Sequence, residues 1–145
     1  MGRLLSLPAL LLATACAAAE PCAGLRAEHA WVREPPPGAS AIAAYFTLVN
    51  TGSAAVAIAG FASDDFGWTM AHQSRVVDGR MEMRPLGAIE IKPGERYGLV
   101  PGGAHLMMGE PRKPVASGAT FRLRVQCEGG GELAIDAPVS RTAPP

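Results

Sequence analysis

Two histidines and two methionines recur at a long spacing: His72, ten residues, Met83, twenty-one residues, His105, one residue, Met107. The chain has three histidines and six methionines, and most of them crowd into Met70, His72, Met81, Met83, His105, Met107 and Met108. Imidazole plus thioether, with no carboxylate or thiolate in the set, is the donor mixture that soft Cu(I) prefers. Zinc would call for Cys, His or a carboxylate, and calcium or magnesium for oxygen. The first reading of these residues is therefore a Cu(I) site.

Such a site needs elements that bring the donors together. On a β-strand, residues i and i+2 point to the same face. Three pairs have that spacing: Met70 with His72, Met81 with Met83, and His105 with Met107. Glu82 and Arg84 then take the opposite face of the middle pair, which leaves its methionines on the less polar side. Pro101-Gly102-Gly103 would turn the backbone sharply before His105, so the flanking pairs are expected to converge at one rim of the fold. Blander readings stand beside this one. Met83 or Met108 alone reads as core filling, His29 as a surface or strand residue, and Trp68 as a core aromatic.

The rest of the chain supplies strands. Phe121, Leu123, Val125 and Cys127 alternate with Arg122, Arg124, Gln126 and Glu128, and Gly129-Gly130-Gly131 leads into a second alternating run at Leu133 and Ile135. Further strands are expected at residues 28–33, 41–49, 54–60, 80–84, 88–91 and 96–100, with a turn at 63–66. Turn chemistry at Pro35-Pro36-Pro37-Gly38, Asn50-Thr51-Gly52, Asp78-Gly79 and Pro93-Gly94 separates them. Many short strands without helical periodicity indicate an all-β antiparallel sandwich or small barrel.

The N-terminus reads as an export signal. Arg3 precedes a short apolar run from residue 4 to 15, and Ala17-Ala18-Ala19 offers small residues for cleavage. The run is too short for the ~20 residues of a spanning helix. Residues 1–19 are thus expected to be a signal peptide and residues 20–145 a single domain in the periplasm. Lipidation at Cys16 is the less favoured alternative, because Ala13 stands where a lipoprotein box usually has Leu. The whole chain has 13 basic and 13 acidic residues, and loss of Arg3 leaves 12 against 13. That balance gives no basic field for nucleic acid and no polybasic membrane patch. Cleavage also leaves Cys22 and Cys127, which read either as a disulfide in an oxidising compartment or, for Cys127, as a small buried apolar residue.

The full spacing resembles the motif of the periplasmic copper chaperone family PCu(A)C, His-x10-Met-x21-His-x-Met, met here by His72, Met83, His105 and Met107 without gaps. Surrounding stretches match as well: Ala30-Trp31-Val32-Arg33, Ala44-Tyr45-Phe46-Thr47-Leu48-Val49-Asn50, Asp78-Gly79-Arg80-Met81-Glu82-Met83-Arg84-Pro85 and Pro101-Gly102-Gly103-Ala104-His105-Leu106-Met107. The resemblance covers nearly all of residues 25–140. It implies a cupredoxin-like, antiparallel Greek-key β-sandwich that binds one Cu(I) through those four residues, which leaves Met70 and Met81 outside the core set, Met70 either as an extra thioether that tightens or buffers the site or as packing. It further implies delivery of that copper, often alongside a Sco-type thiol protein, to the CuA-bearing subunit of cytochrome c oxidase; a monomer is expected. Family members often carry Glu where this chain has Met70, and Cys22 and Cys127 are outside the family pattern. Buffering or tolerance of copper is the alternative role for the same site. An electron-transfer cupredoxin would need a Cys thiolate near the histidines, and none is close in sequence. A metal-free exported β-sandwich that binds a partner through its methionines is a third reading. No paired carboxylates, nucleophile–base set or phosphate loop suggests an enzyme.

Overall fold

The computed structural model describes residues 20–145. The expected signal segment, residues 1–19 with Cys16, lies outside them. Ten strands follow one another without a helix among the described residues: β1 (Leu25–Arg33), β2 (Ile42–Asn50), β3 (Val56–Ala62), β4 (Phe66–Val77), β5 (Arg80–Pro85), β6 (Ile89–Ile91), β7 (Arg96–Leu99), β8 (Ala104–Pro111), β9 (Thr120–Cys127) and β10 (Glu132–Ser140). The expected alternation is realised in β9, where Phe121, Leu123, Val125 and Cys127 are buried. Arg122 and Arg124 point outward from the same strand. Arg122 pairs with Asp136 of β10 and holds that carboxyl below the usual carboxylate range.

The strands hydrogen-bond in the order β5-β4-β8-β2-β1-β10-β9-β3-β6, with β7 joining β2. This path folds into two layers, β5-β4-β8-β2-β1 with β7 in one and β10-β9-β3-β6 in the other. Its ends, β5 and β6, do not pair with each other, so the fold is a sandwich and not a closed barrel. Side chains from both layers form one core, in which Phe66 lies 4.9 Å from Phe121, centroid to centroid, and Phe46 lies 6.0 Å from Phe61.

One pairing departs from the expected all-antiparallel arrangement. The end of β1 runs parallel to β10, with Val32 opposite Val139 and Arg33 opposite Ser140. A bulge explains it. The register of β1 against β2 slips between Glu28 and Trp31, where His29 takes a positive φ of 52°. Such a bulge increases twist and bends the strand, which lets the last residues of β1 close the edge between the layers. His29 is exposed at this bulge, in keeping with a surface residue.

Cys22 and Cys127 are joined by a disulfide, with Cα atoms 5.7 Å apart. The bridge fastens the segment before β1 to the end of β9. Asn50, at the end of β2, is fully buried and fully bonded. Its side-chain amide donates to the carbonyls of Ala54 and Ile91 at 2.7 and 2.8 Å and accepts from the Gly52 N–H at 2.9 Å. One polar side chain thus pins a turn of one layer to an edge strand of the other.

Candidate metal centre

Strand β4 lies between β8 and β5, and the registers on its two sides assemble the donors. Against β8, Met70 is opposite Met107 and His72 is opposite His105. Against β5, Ser74 is opposite Met83 and Val76 is opposite Met81. Directly opposed residues of antiparallel strands share a face, as do residues two apart along one strand. All four expected ligands therefore point the same way, with the histidines in the middle row. Met107 flanks that row on one side, and Met83 flanks it on the other.

The shared face is the outer one. Leu106 and Met108, which alternate with His105 and Met107 on β8, are completely buried in the core. The donors converge across neighbouring strands and not at a rim of loop ends, because three adjacent strands carry them in register. The turn at Pro101-Gly102-Gly103 does deliver β8 just before His105, as expected.

The imidazole centroids are 6.1 Å apart with the rings tilted by 31°. His105 is only 8% exposed, and its Nδ1 lies 3.1 Å from the Gly103 carbonyl oxygen. A carbonyl only accepts, so Nδ1 carries the proton and Nε2 keeps its lone pair for a ligand. On His72 the Nδ1 is buried without a hydrogen-bond partner. A buried polar atom left unpaired costs roughly 1–3 kcal/mol, a cost that a bound cation removes. Met83, His105 and Met107 line a shallow cavity of about 230 Å³ together with Ser74, Tyr45 and Ala43. His72 stands beside this cavity and is absent from its lining.

The charges of the β4–β5 hairpin lie on its other side. Arg75 opposes Glu82 there, and Glu82 pairs with Arg84. Among the described residues no three His, Cys, Asp or Glu side chains come together as a metal-binding group. The donor set is thus two neutral imidazoles and thioethers. It fits a soft monovalent ion and offers little to calcium, magnesium or zinc.

Other residues fall differently. Met81, opposite Val76, sits one row beyond Met83 and away from the histidines. Met70 lies in the same row as Met107 and is 51% exposed. Trp68 is not a core aromatic: it is half-exposed on the outer face, where its indole lies over the backbone of Gly109, the residue opposite it. The disulfide joins the segment before β1 to the end of β9 and includes none of these donors. Reading the sequence for donors missed Tyr45 and Ser74. Tyr45 is buried on the outer face, stacked on Trp31 at 4.9 Å beneath the guanidinium of Arg33. Its sequence signal is a bulky ring out of phase with the core residues Ala44, Phe46 and Leu48 of the same strand.

The LpqE-like family, described as one of lipoproteins, has a model that matches residues 25–139. A copper-bound PCuAC domain from PmoF2 is 26% identical with a TM-score of 0.65, covering 82% of this chain and 94% of that one. The solution structure of the Cu(I) form of DR1885 from Deinococcus radiodurans is 25% identical with a TM-score of 0.58, covering 80% and 77%. The apo PCuAC domain from PmoF1, at 23% identity and a TM-score of 0.67 over 82% and 95%, shares the cupredoxin-like sandwich fold. A comparison with curated protein sequences gives no match.

Proposed function

This chain belongs to the LpqE-like family, and from that premise we propose that it is a Cu(I) chaperone of the periplasm. It carries one copper ion as cargo on His72, Met83, His105 and Met107 and hands it to the CuA centre of cytochrome c oxidase, alongside a Sco-type thiol protein. The observation that carries this reading is the strand register that sets His72 opposite His105 with thioethers in the rows on either side. The copper-bound PmoF2 domain and the Cu(I) form of DR1885 support copper as the cargo. The lipoprotein description of the family supports export.

The residues present also account for release. Thioethers are neutral and soft, so they select Cu(I) without the charge stabilisation of a thiolate. An acceptor that presents Cys thiolates is therefore a stronger ligand, and transfer toward it runs downhill. The outer-face position leaves Met83 56% exposed, open to an incoming ligand. Handover would then proceed by stepwise exchange, each acceptor thiolate forming a bond to the ion as a thioether or imidazole gives one up, and no covalent bond within the chaperone changes. The Nδ1 contact of His105 with the Gly103 carbonyl leaves Nε2 free to ligate, and the sheet holds the imidazoles in place while thioethers leave.

The test is competition with a coloured Cu(I) chelator. A folded His72→Ala/His105→Ala variant is expected to lose affinity by roughly 100-fold or more, beyond the effect of disturbing a supporting residue. Equal affinity for variant and parent would refute the site. Copper transfer from the loaded protein to an isolated apo CuA domain is expected, and failure of that transfer with the site intact would favour buffering.

A further inference from the structure

Met70 occupies a position that the four-residue motif does not use. It is the direct cross-strand neighbour of Met107 and stands two residues before His72 on the same strand and face. Relative to the histidine row, Met70 and Met107 are equivalent: each is one step along its strand from the imidazole of that strand. Directly opposed side chains have Cβ atoms about 4.5–5.5 Å apart, within the reach of a flexible thioether. Met70 is also 51% exposed, whereas Met108, the packing methionine of β8, is completely buried. An apolar side chain held half in water contributes little to a core.

Building on the Cu(I) reading, we infer that Met70 is a further copper ligand, able to complete a His2Met2 set with His72, His105 and Met107 when Met83 is released. Those four residues form a two-by-two block on two central strands, β4 and β8. Met83 alone comes from β5, an edge strand with one neighbour. The division gives the site two states. With Met83 bound, the ion sits toward the hairpin, and with Met70 bound, it sits toward Met107. An acceptor thiolate entering on the hairpin side displaces Met83 while Met70 takes its place, so the ion is never left with fewer than four donors until the acceptor has bound.

The experiment uses protein with ¹³C-labelled methionine methyl groups, titrated with Cu(I) under reducing conditions, and chelator competition on Met70→Leu, Met83→Leu and the double variant. Leucine keeps the volume and removes the sulfur. One equivalent of Cu(I) is expected to shift the Met70 methyl resonance along with those of Met83 and Met107. Met83→Leu should retain affinity within about 10-fold of the parent, and Met70→Leu/Met83→Leu should fall at least about 10-fold further. An unmoved Met70 methyl, with the double variant no weaker than Met83→Leu alone, would overturn this inference and leave the motif reading intact. A parent protein that fails to retain Cu(I) would overturn both.

Discussion

Met107 and Met108 are consecutive residues on opposite sides of one sheet, and their substitution should separate binding from stability. Met107 is half-buried against the outer cavity, whereas Met108 is enclosed in the core with no exposed surface. Truncation of a buried methionine to alanine costs about 2–5 kcal/mol through lost contacts and the void it leaves. Met108→Ala should therefore lower the unfolding free energy by that amount, read as a lower denaturant midpoint, while the folded fraction binds Cu(I) normally. Met107→Ala should do the reverse, with stability changed by about 0.5 kcal/mol and affinity clearly reduced. Paired chemical denaturation and chelator competition on the two variants check both halves. The distinction was legible in the sequence, since alternation puts His105 with Met107 and excludes Met108. The role of Tyr45 was not legible as a donor pattern, because it walls the cavity by packing on Trp31 and brings no ligand atom of its own to the motif.

Strand β4 shows at the scale of an element why part of the fold escaped the sequence. Period-two reading finds strands whose apolar residues face the core, as in β9. In β4 the pattern is inverted. Trp68, Met70 and His72 face outward, while the inward positions include Thr69, whose hydroxyl donates to the Phe61 carbonyl, and Ala71. This twelve-residue strand therefore has no conventional signature, and what betrays it is the imidazole and thioether side chains on its outer face. Asn50 is the converse case: it reads as an ordinary turn residue and proves to be a buried anchor. Asn50→Ala would leave the carbonyls of Ala54 and Ile91 without their donor. At roughly 1–3 kcal/mol for each polar group left buried, a loss of about 3 kcal/mol is expected, read as a lower melting temperature. A change below about 1 kcal/mol would mean that water takes over both carbonyls.

Across the whole molecule, the two layers have separate tasks. The β5-β4-β8 side of one layer carries the donors, while the other layer carries Cys127 of the disulfide and the ion pairs Arg122–Asp136 and Arg124–Glu132. Arg122–Asp136 is largely exposed and contributes little by itself, whereas the Arg124 side chain is mostly buried. The Cys22–Cys127 bridge spans 105 residues of sequence, and a loop of that length restrains the unfolded chain by about 4–5 kcal/mol in the chain-entropy account. A Cys22→Ser/Cys127→Ser variant should lose stability on that order and keep its Cu(I) affinity, because neither cysteine is on β4, β5 or β8, the strands that carry the donors. The sequence left the bridge open, since cysteine spacing alone does not say which strands are neighbours. X-ray absorption at the copper edge, on protein carrying one equivalent of Cu(I), shows whether imidazole and thioether together hold the ion. The expected spectrum contains imidazole nitrogen together with two or more sulfur scatterers, and the His72→Ala/His105→Ala variant loses the imidazole signature. A first shell of nitrogen and oxygen alone, or one unchanged in that variant, would contradict the account.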